Sequence, residues 1–181
     1  EALSVKKGCI FMDVGAYLGV FAIPMSKCYA RVITFEPEDE NYQLLTENIK
    51  LNNVQDNVTA IKAIVSDKIG KTKLFTSLHG PFSSILDPEK NKLGWIPVKT
   101  TEVYTVTIDN VFQKYRLEKV DSLKIDVEGA EFLVLKGSSE SISEGKIRNI
   151  LIEMHPAMFG GAKANDIYDV LKEQYNLKVL W

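Results

Sequence analysis

From Cys9 onward, short apolar runs alternate with amphipathic stretches along the chain. Cys9–Val14 (CIFMDV), Arg31–Phe35 (RVITF), Val58–Val65, Leu123–Val127 (LKIDV) and Ile150–Met154 read as strands, apolar on both faces and so buried on both. Between them, a helix from about Leu18 to Tyr29 puts Leu18, Ala22, Met25 and Tyr29 on one side. A second helix follows Pro37, a residue the first helical turn accepts. Glu38, Asp39 and Glu40 favour its N-terminus through the dipole, and Tyr42, Leu45 and Ile49 form its apolar stripe. A third starts at Ala130 and stops at Lys136–Gly137 with a glycine cap. Lys71–Phe75 and Val98–Thr107 predict strands with alternating faces, separated by the loop LHGPFSSILDPEKNKLGW. Ile167, Val170, Leu171 and Tyr175 mark a last helix, and Leu177–Trp181 a last strand.

This β-α-β-α-β rhythm predicts an α/β fold: a Rossmann-like three-layer sandwich, its mostly parallel sheet covered by helices on both faces, with right-handed crossovers. The length of 181 residues suits one domain spanning 1–181, with a loop and strand insertion around 71–110. In such sheets ligands bind beyond the carboxyl ends of the strands, where the strand order reverses. The residues just after each strand are Asp13 to Gly19, Glu36, Ser66–Asp67, Asp126 to Glu131, and Glu153 to His155. Polar groups gather at all five places, a pattern that core packing does not require.

Composition narrows the partners. A net charge of −2, with 22 Lys and Arg spread along the chain, argues against nucleic acid. No run approaches the roughly 20 apolar residues of a membrane span. Cys9 and Cys28 sit in apolar surroundings and are expected to be buried thiols, which fits the cytoplasm. The chain starts at Glu1 rather than Met, so upstream residues are expected to be missing or trimmed. Neither the oligomeric state nor the identity of a ligand follows from composition.

The turn after the first strand, Asp13-Val14-Gly15-Ala16-Tyr17-Leu18-Gly19, carries more. A dinucleotide site requires G-x-G-x-x-G, and Tyr17 stands where its second glycine belongs, obstructing a pyrophosphate. An acid two positions before the first glycine suits a cationic ligand instead. S-adenosylmethionine is one, and D-x-G-x-x-x-G is the form of its first binding loop in many methyltransferases. Glu36, an acid ending the second strand, would accept both ribose hydroxyls of either cofactor. The structural alternative is that Asp13 and Glu36 only cap helices.

FMDVGAYLG, FEP, AIVSDKIG, TID, LKIDVEGAE and IEMHP, in that order from about Ile10 to Pro156, resemble the FkbM-type methyltransferases. These are S-adenosylmethionine-dependent enzymes with the class I methyltransferase fold, several of them O-methyltransferases of natural products and sugars. The resemblance implies that Asp13, Gly15, Ala16 and Gly19 surround the methionine part of the cofactor. It implies that Glu36, beside Pro37, holds the ribose, that Ser66 and Asp67 lie near the adenine, and that Asp126 lies close to the transferred methyl. Two departures stand out. Tyr17 replaces a smaller polar residue and would narrow the entrance. The usual C-terminal hairpin is represented by one strand, so the last strand is expected to be absent.

A hydroxyl acceptor on a small molecule or glycan must lose a proton. Asp126, Glu128, Glu131, Glu153 and His155 are the candidates on one rim, with His155 or Asp126 favoured as base. Three of them have a plainer reading: Glu128 orienting Lys124 or the turn at Gly129, Glu131 charging a helix terminus, His155 bonding a turn before Pro156. Asp126, Glu153 and His155 are also oxygen and nitrogen ligands for a divalent metal, which no tight motif supports. Ser83, Ser84 and the segment Met158-Phe159-Gly160-Gly161 are expected beside the site, the latter as a lid. His79 reads as an exposed loop residue, and Trp95 and Trp181 as packing. The leading expectation is methyl transfer to oxygen. An NAD-dependent oxidoreductase and a non-catalytic S-adenosylmethionine-binding module are the alternatives.

Overall fold

The computed structural model describes residues 8–28, 31–77, 83–87, 96–155 and 172–173. The elements run β1 (Ile10–Val14), α1 (Ala22–Lys27), β2 (Arg31–Phe35), α2 (Asp39–Leu51), β3 (Val58–Ile61), β4 (Ile64–Val65), β5 (Gly70–Ser77), β6 (Ser83–Ser84), β7 (Pro97–Val106), α3 (Ile108–Tyr115), β8 (Ser122–Ile125), α4 (Glu131–Lys136), α5 (Ser139–Ser143) and β9 (Ile150–Ile152). The expected last helix and strand, the Met158–Gly161 segment, His79, Trp95 and Trp181 lie outside the described residues.

β3, β2, β1, β8 and β9 form, in that order, a sheet whose pairings are all parallel. Alternation along each strand feeds two cores. Met12, Val14, Ile33, Phe35, Leu123 and Ile125 pack on one face against residues of α3, α4 and α5. Phe11 and Val32 point to the other, against Ala22 of α1 and Leu45 and Ile49 of α2. Helices therefore cover both faces, as the periodicity predicts. Among the described residues, no helix is long and apolar enough to cross a membrane.

Local chemistry moves several boundaries. The single strand expected over Val58–Val65 is two: Ala63 N–H folds back onto the Ile61 carbonyl, and β4 leaves the first sheet to pair with β7. There it joins a second sheet, ordered β4-β7-β5-β6, with β5 antiparallel to β7 and β6. The first helix is shorter than predicted because Tyr17 and Gly19 both take positive φ, at 51° and 90°. The chain becomes helical only at Ala22. Pro37 precedes the second helix rather than entering it, and Glu38 is the N-cap, its carboxylate accepting from Asn41 N–H at 2.8 Å.

Two helices escape the sequence reading. α3 is capped by Thr107, which accepts from Asn110 N–H at 3.0 Å, and it buries Ile108, Val111 and Phe112. The short α5 is held from outside by Asp109, which accepts from Ser141 N–H at 2.9 Å and from Ser141 Oγ at 2.6 Å. Gly137 caps the C-terminus of α4 as expected, at φ −76°. A Cβ there would lie 2.0 Å from the Ser66 carbonyl oxygen, so the glycine permits close packing of α4 on the end of β4. The two thiols are not both buried. Cys28, one residue past the last turn of α1, is exposed, and Cys9 is half-buried.

Candidate active site

The strand order reverses between β1 and β8, and a cleft opens at their carboxyl ends. Gly15, Tyr17, Glu36, Pro37, Asp126 and Glu128 supply its polar rim. Phe35, Ile64, Leu74 and Ile85 make the apolar wall, so the second sheet closes the cleft from the side. The segments that follow the neighbouring strands β1 and β8 meet tightly at Gly15: at φ 84°, a Cβ would lie 1.7 Å from the Asp126 carbonyl oxygen. No side chain fits there.

Glu36 is buried at the mouth of this cleft. One of its oxygens accepts from Tyr17 N–H at 2.9 Å and the other from Glu38 N–H at 3.1 Å. Burial pushes its pKa up to about 7, against the pull of those two N–H groups and of Asn41. Each oxygen keeps a lone pair beyond its one N–H bond, which is what a ribose diol needs. The bond to Glu36 also fixes Tyr17, whose ring lines the cleft and stays 37% exposed.

On the α1 side of the sheet lies a charge triad in which Asp13 and Lys124 are buried and Asp126 is half-buried. Asp13 and Lys124 are register partners on β1 and β8, and Lys124 Nζ sits 3.5 Å from Asp13 Oδ1 and 3.2 Å from Asp126 Oδ2. The ammonium also donates to the Gly15 carbonyl at 3.2 Å and lies 4.9 Å from the Phe21 ring centroid. Asp13 is completely buried with neither oxygen in a well-formed hydrogen bond. Burial raises its pKa to about 6 despite Lys124. The cation beside Asp13 is thus the chain's own lysine, which binds Asp13 and Asp126 rather than Glu128.

A second acidic group forms across β8 and β9. Glu128, with φ 53°, and Gly129, with φ 100°, make a sharp turn before α4. Glu131 is fully buried, accepts from Gly129 N–H at 3.0 Å, and lies 2.9 Å from His155 Nδ1. It does more than charge a helix terminus. His155 therefore bonds a carboxylate rather than a turn, and its Nε2 faces Glu128 at 3.6 Å and the exposed Glu153 at 4.0 Å. Burial alone would lower the imidazole pKa, but Glu131, Glu128 and Asp126 outweigh it and hold it above the usual value. Burial also raises Glu128, countered by His155. One atom each from Asp126, Glu128 and His155 falls within 4.8 Å of the others, though Lys124 already binds one Asp126 oxygen.

The residues expected at the site divide accordingly. Gly15, Glu36, Pro37, Asp126 and Glu128 line the cleft, and His155 and Glu153 border its Glu128 side. Asp13, Ala16, Gly19, Ser66 and Asp67 are not among the described residues that line it. Ala16 is buried in the α1 core, and a Cβ on Gly19 would press on Leu45 at 2.9 Å. Asp67 pairs with Lys136 at 2.9 Å, which holds it below the usual carboxylate range. Ser83 lines the cleft, while Ser84 donates to the Glu128 carbonyl at 3.1 Å and ties the second sheet to the rim. Lys124 was missed as a site residue; the alternation in Lys124-Ile125-Asp126 was the available signal, since it puts both charges on one face.

Known proteins bear on this geometry. Residues 13–177 match the model of the methyltransferase FkbM domain. The chain is 32% identical over 169 residues to methyltransferase sdnD of Sordaria araneosa, covering 78% of this chain and 64% of that protein. It is 25% identical over 164 residues to the hexuronic acid methyltransferase AglP of Haloferax volcanii, covering 91% of this chain and 62% of that one. It thus spans less than two thirds of the length of either relative. Among solved structures, the methyltransferase FkbM from Methylobacillus flagellatus KT superposes with a TM-score of 0.55 at 20% identity, covering 81% of this chain and 33% of that one. That likeness supports the Rossmann-like sheet read from the strand pattern and the class I methyltransferase fold that the family resemblance implies. On the match that runs through nearly all of its length, the chain belongs to the FkbM methyltransferase domain family.

Proposed function

We propose that the chain is the catalytic domain of an S-adenosylmethionine-dependent O-methyltransferase acting on a hydroxyl of a small molecule or glycan. The observation that carries this reading is Glu36: a buried carboxylate at the mouth of a half-apolar cleft, oriented by two backbone N–H groups at the end of β2. A ribose fits its remaining lone pairs, and the Phe35, Ile64, Leu74 and Ile85 wall suits an adenine. Asp13 supports the methionine end through Lys124, whose bond to the Gly15 carbonyl fixes the loop. Ser66 and Asp67 remain candidates for the adenine edge.

When bound, S-adenosylmethionine supplies a methyl carbon on a positively charged sulfur that leaves as a neutral thioether. The chain's own residues must orient the acceptor in line and take its proton, and orientation alone is worth several kcal/mol. His155 is the better base of the two favoured candidates, because Asp126 is bound to the Lys124 ammonium while Nε2 of His155 faces the rim. Nε2 of His155 would take the acceptor O–H proton, leaving the oxygen free to receive the methyl group that the bound cofactor would supply. Glu128 and Glu153 stabilise the imidazolium that results. A metal is not required by this scheme. The hexuronic acid named for the AglP relative makes uronic acids the first acceptors to try.

The test is transfer of labelled methyl from S-adenosylmethionine to a panel of hydroxylated acceptors, uronic acids and oligosaccharides included. An O-methyl ether product is expected. Cofactor binding without transfer to any acceptor would favour a binding module, and hydride transfer to NAD from a hydroxylated substrate would replace the reading altogether.

A further inference from the structure

Glu131 opens α4, where an acid is ordinarily a surface residue favoured by the helix dipole, yet its side chain is fully buried. Its Oε1 takes both the Gly129 N–H and the His155 contact, while Oε2 meets no donor among the described residues. A buried carboxylate half lacking partners is costly, and the fold retains it only where another group offsets it. Here that group is an imidazole, arriving from the end of β9, 24 residues further along the chain. The other edge of the ring looks toward Glu128 and Glu153, and Asp126 adds its charge from the end of β8.

Resting on the reading of His155 as the proton acceptor, we propose that Glu131 is its positioning residue: it keeps the imidazole proton on Nδ1 and turns Nε2, as the basic nitrogen, toward the Asp126–Glu128 rim. A carboxylate can only accept, so the 2.9 Å contact requires Nδ1–H, and the neutral ring then carries its lone pair on Nε2. When a hydroxyl proton reaches Nε2, the opposite N–H is already bonded to Glu131, and the positive charge forms beside a negative one. The same bond stops the ring from turning, so the nitrogen needs no reorganisation to meet an acceptor.

The chain has two histidines, which makes nitrogen NMR of the whole protein a direct test, with His155→Gln assigning the signals. The wild type should show His155 mainly as the Nδ1–H tautomer, titrating above the usual imidazole value. In Glu131→Gln, an isosteric change, the midpoint should fall by at least about one unit and the tautomer preference should be lost. Glu131→Asp, which keeps the charge on a shorter arm, should retain most of the elevation. A wild-type ring protonated on Nε2, or a Gln variant with unaltered midpoint and tautomer, would overturn the proposal. Should Glu131→Gln fail to give a folded amide fingerprint, the wild-type tautomer and the Asp variant decide it. S-adenosylhomocysteine titration of the same samples separates the two readings. Failure of the wild type to bind would remove the methyltransferase function and leave the tautomer result standing.

Discussion

Two groups of acids lie at the carboxyl ends of one sheet, and they are balanced in different ways. Asp13 and Asp126 share the permanent cation of Lys124, inserted between them from the neighbouring strand. Among the described residues, Glu128, Glu131 and Glu153 pair with His155, whose charge depends on pH. A fixed cation makes the first group a structural element that holds β1, β8 and the Gly15 loop in place. A titratable partner makes the second group one that can take up a proton and release it. The difference separates scaffold from chemistry within a few ångströms, and it can be broken from either side.

The largest effect should come from Lys124→Met. It leaves the completely buried Asp13 without its cation, and removing one partner of a buried pair typically costs about 3–5 kcal/mol. Because Asp13 already titrates near 6, urea unfolding should show a larger loss at pH 8 than at pH 5, where the carboxyl is neutral. Equal losses at both would mean that Lys124 acts through packing alone. On the other side, His155→Gln removes the imidazole that offsets the buried Glu131, so it should cost about 1–3 kcal/mol in urea and reduce methyl transfer by a factor of about 100 or more. A variant that transfers methyl normally would return the base role to Asp126.

Wild-type stability should itself depend on pH. Asp13 and Glu36 titrate at about 6 and about 7 in the folded protein, above their ordinary values of 3.8 and 4.5. A raised carboxyl favours the protonated folded state, so its stabilising contribution is complete below the unfolded pKa and is lost as pH rises through the folded one. Stability should therefore fall between about pH 4 and pH 7, by at most on the order of 3 kcal/mol per group. Glu36→Gln should flatten the upper part of that decline, and a profile that still falls steeply in this variant would place the titration elsewhere. The smallest effect belongs to Ser84→Ala, which removes the bonds to the Glu128 carbonyl and from Leu86 N–H. A loss of about 1 kcal/mol is expected, with NMR shifts confined to Glu128, Glu131 and His155; shifts reaching Lys124 would join the two groups into one network.

What the sequence revealed follows the range of the forces involved. The strand Arg31–Phe35 was legible to the residue, because a run of buried apolar positions is a local signal. The strand-end rule brought Glu36, Asp126 and His155 to one side of the sheet before any coordinates. Lys124 was harder: a lysine in a strand reads as exposed until the register with Asp13 is known, and register is not local. Glu131 resembled a dipole acid because nothing nearby announces a histidine from β9 reaching over it. The split between β3 and β4 falls at Lys62–Ala63, where a single lysine inside an otherwise mostly apolar run marks the break. α3 was readable from Thr107 and the spacing of Ile108, Val111 and Phe112, and was overlooked between two strands.

The central claim is that the cleft at the β1 and β2 ends accepts S-adenosylmethionine rather than a dinucleotide. Calorimetric titration with S-adenosylhomocysteine tests it most directly, with NAD in parallel and Glu36→Gln as the variant. The account predicts micromolar binding of S-adenosylhomocysteine alone, weakened at least about tenfold in the variant through lost ribose bonds to a charged acceptor. Binding of NAD in its place, or affinity for S-adenosylhomocysteine indifferent to Glu36, would contradict it.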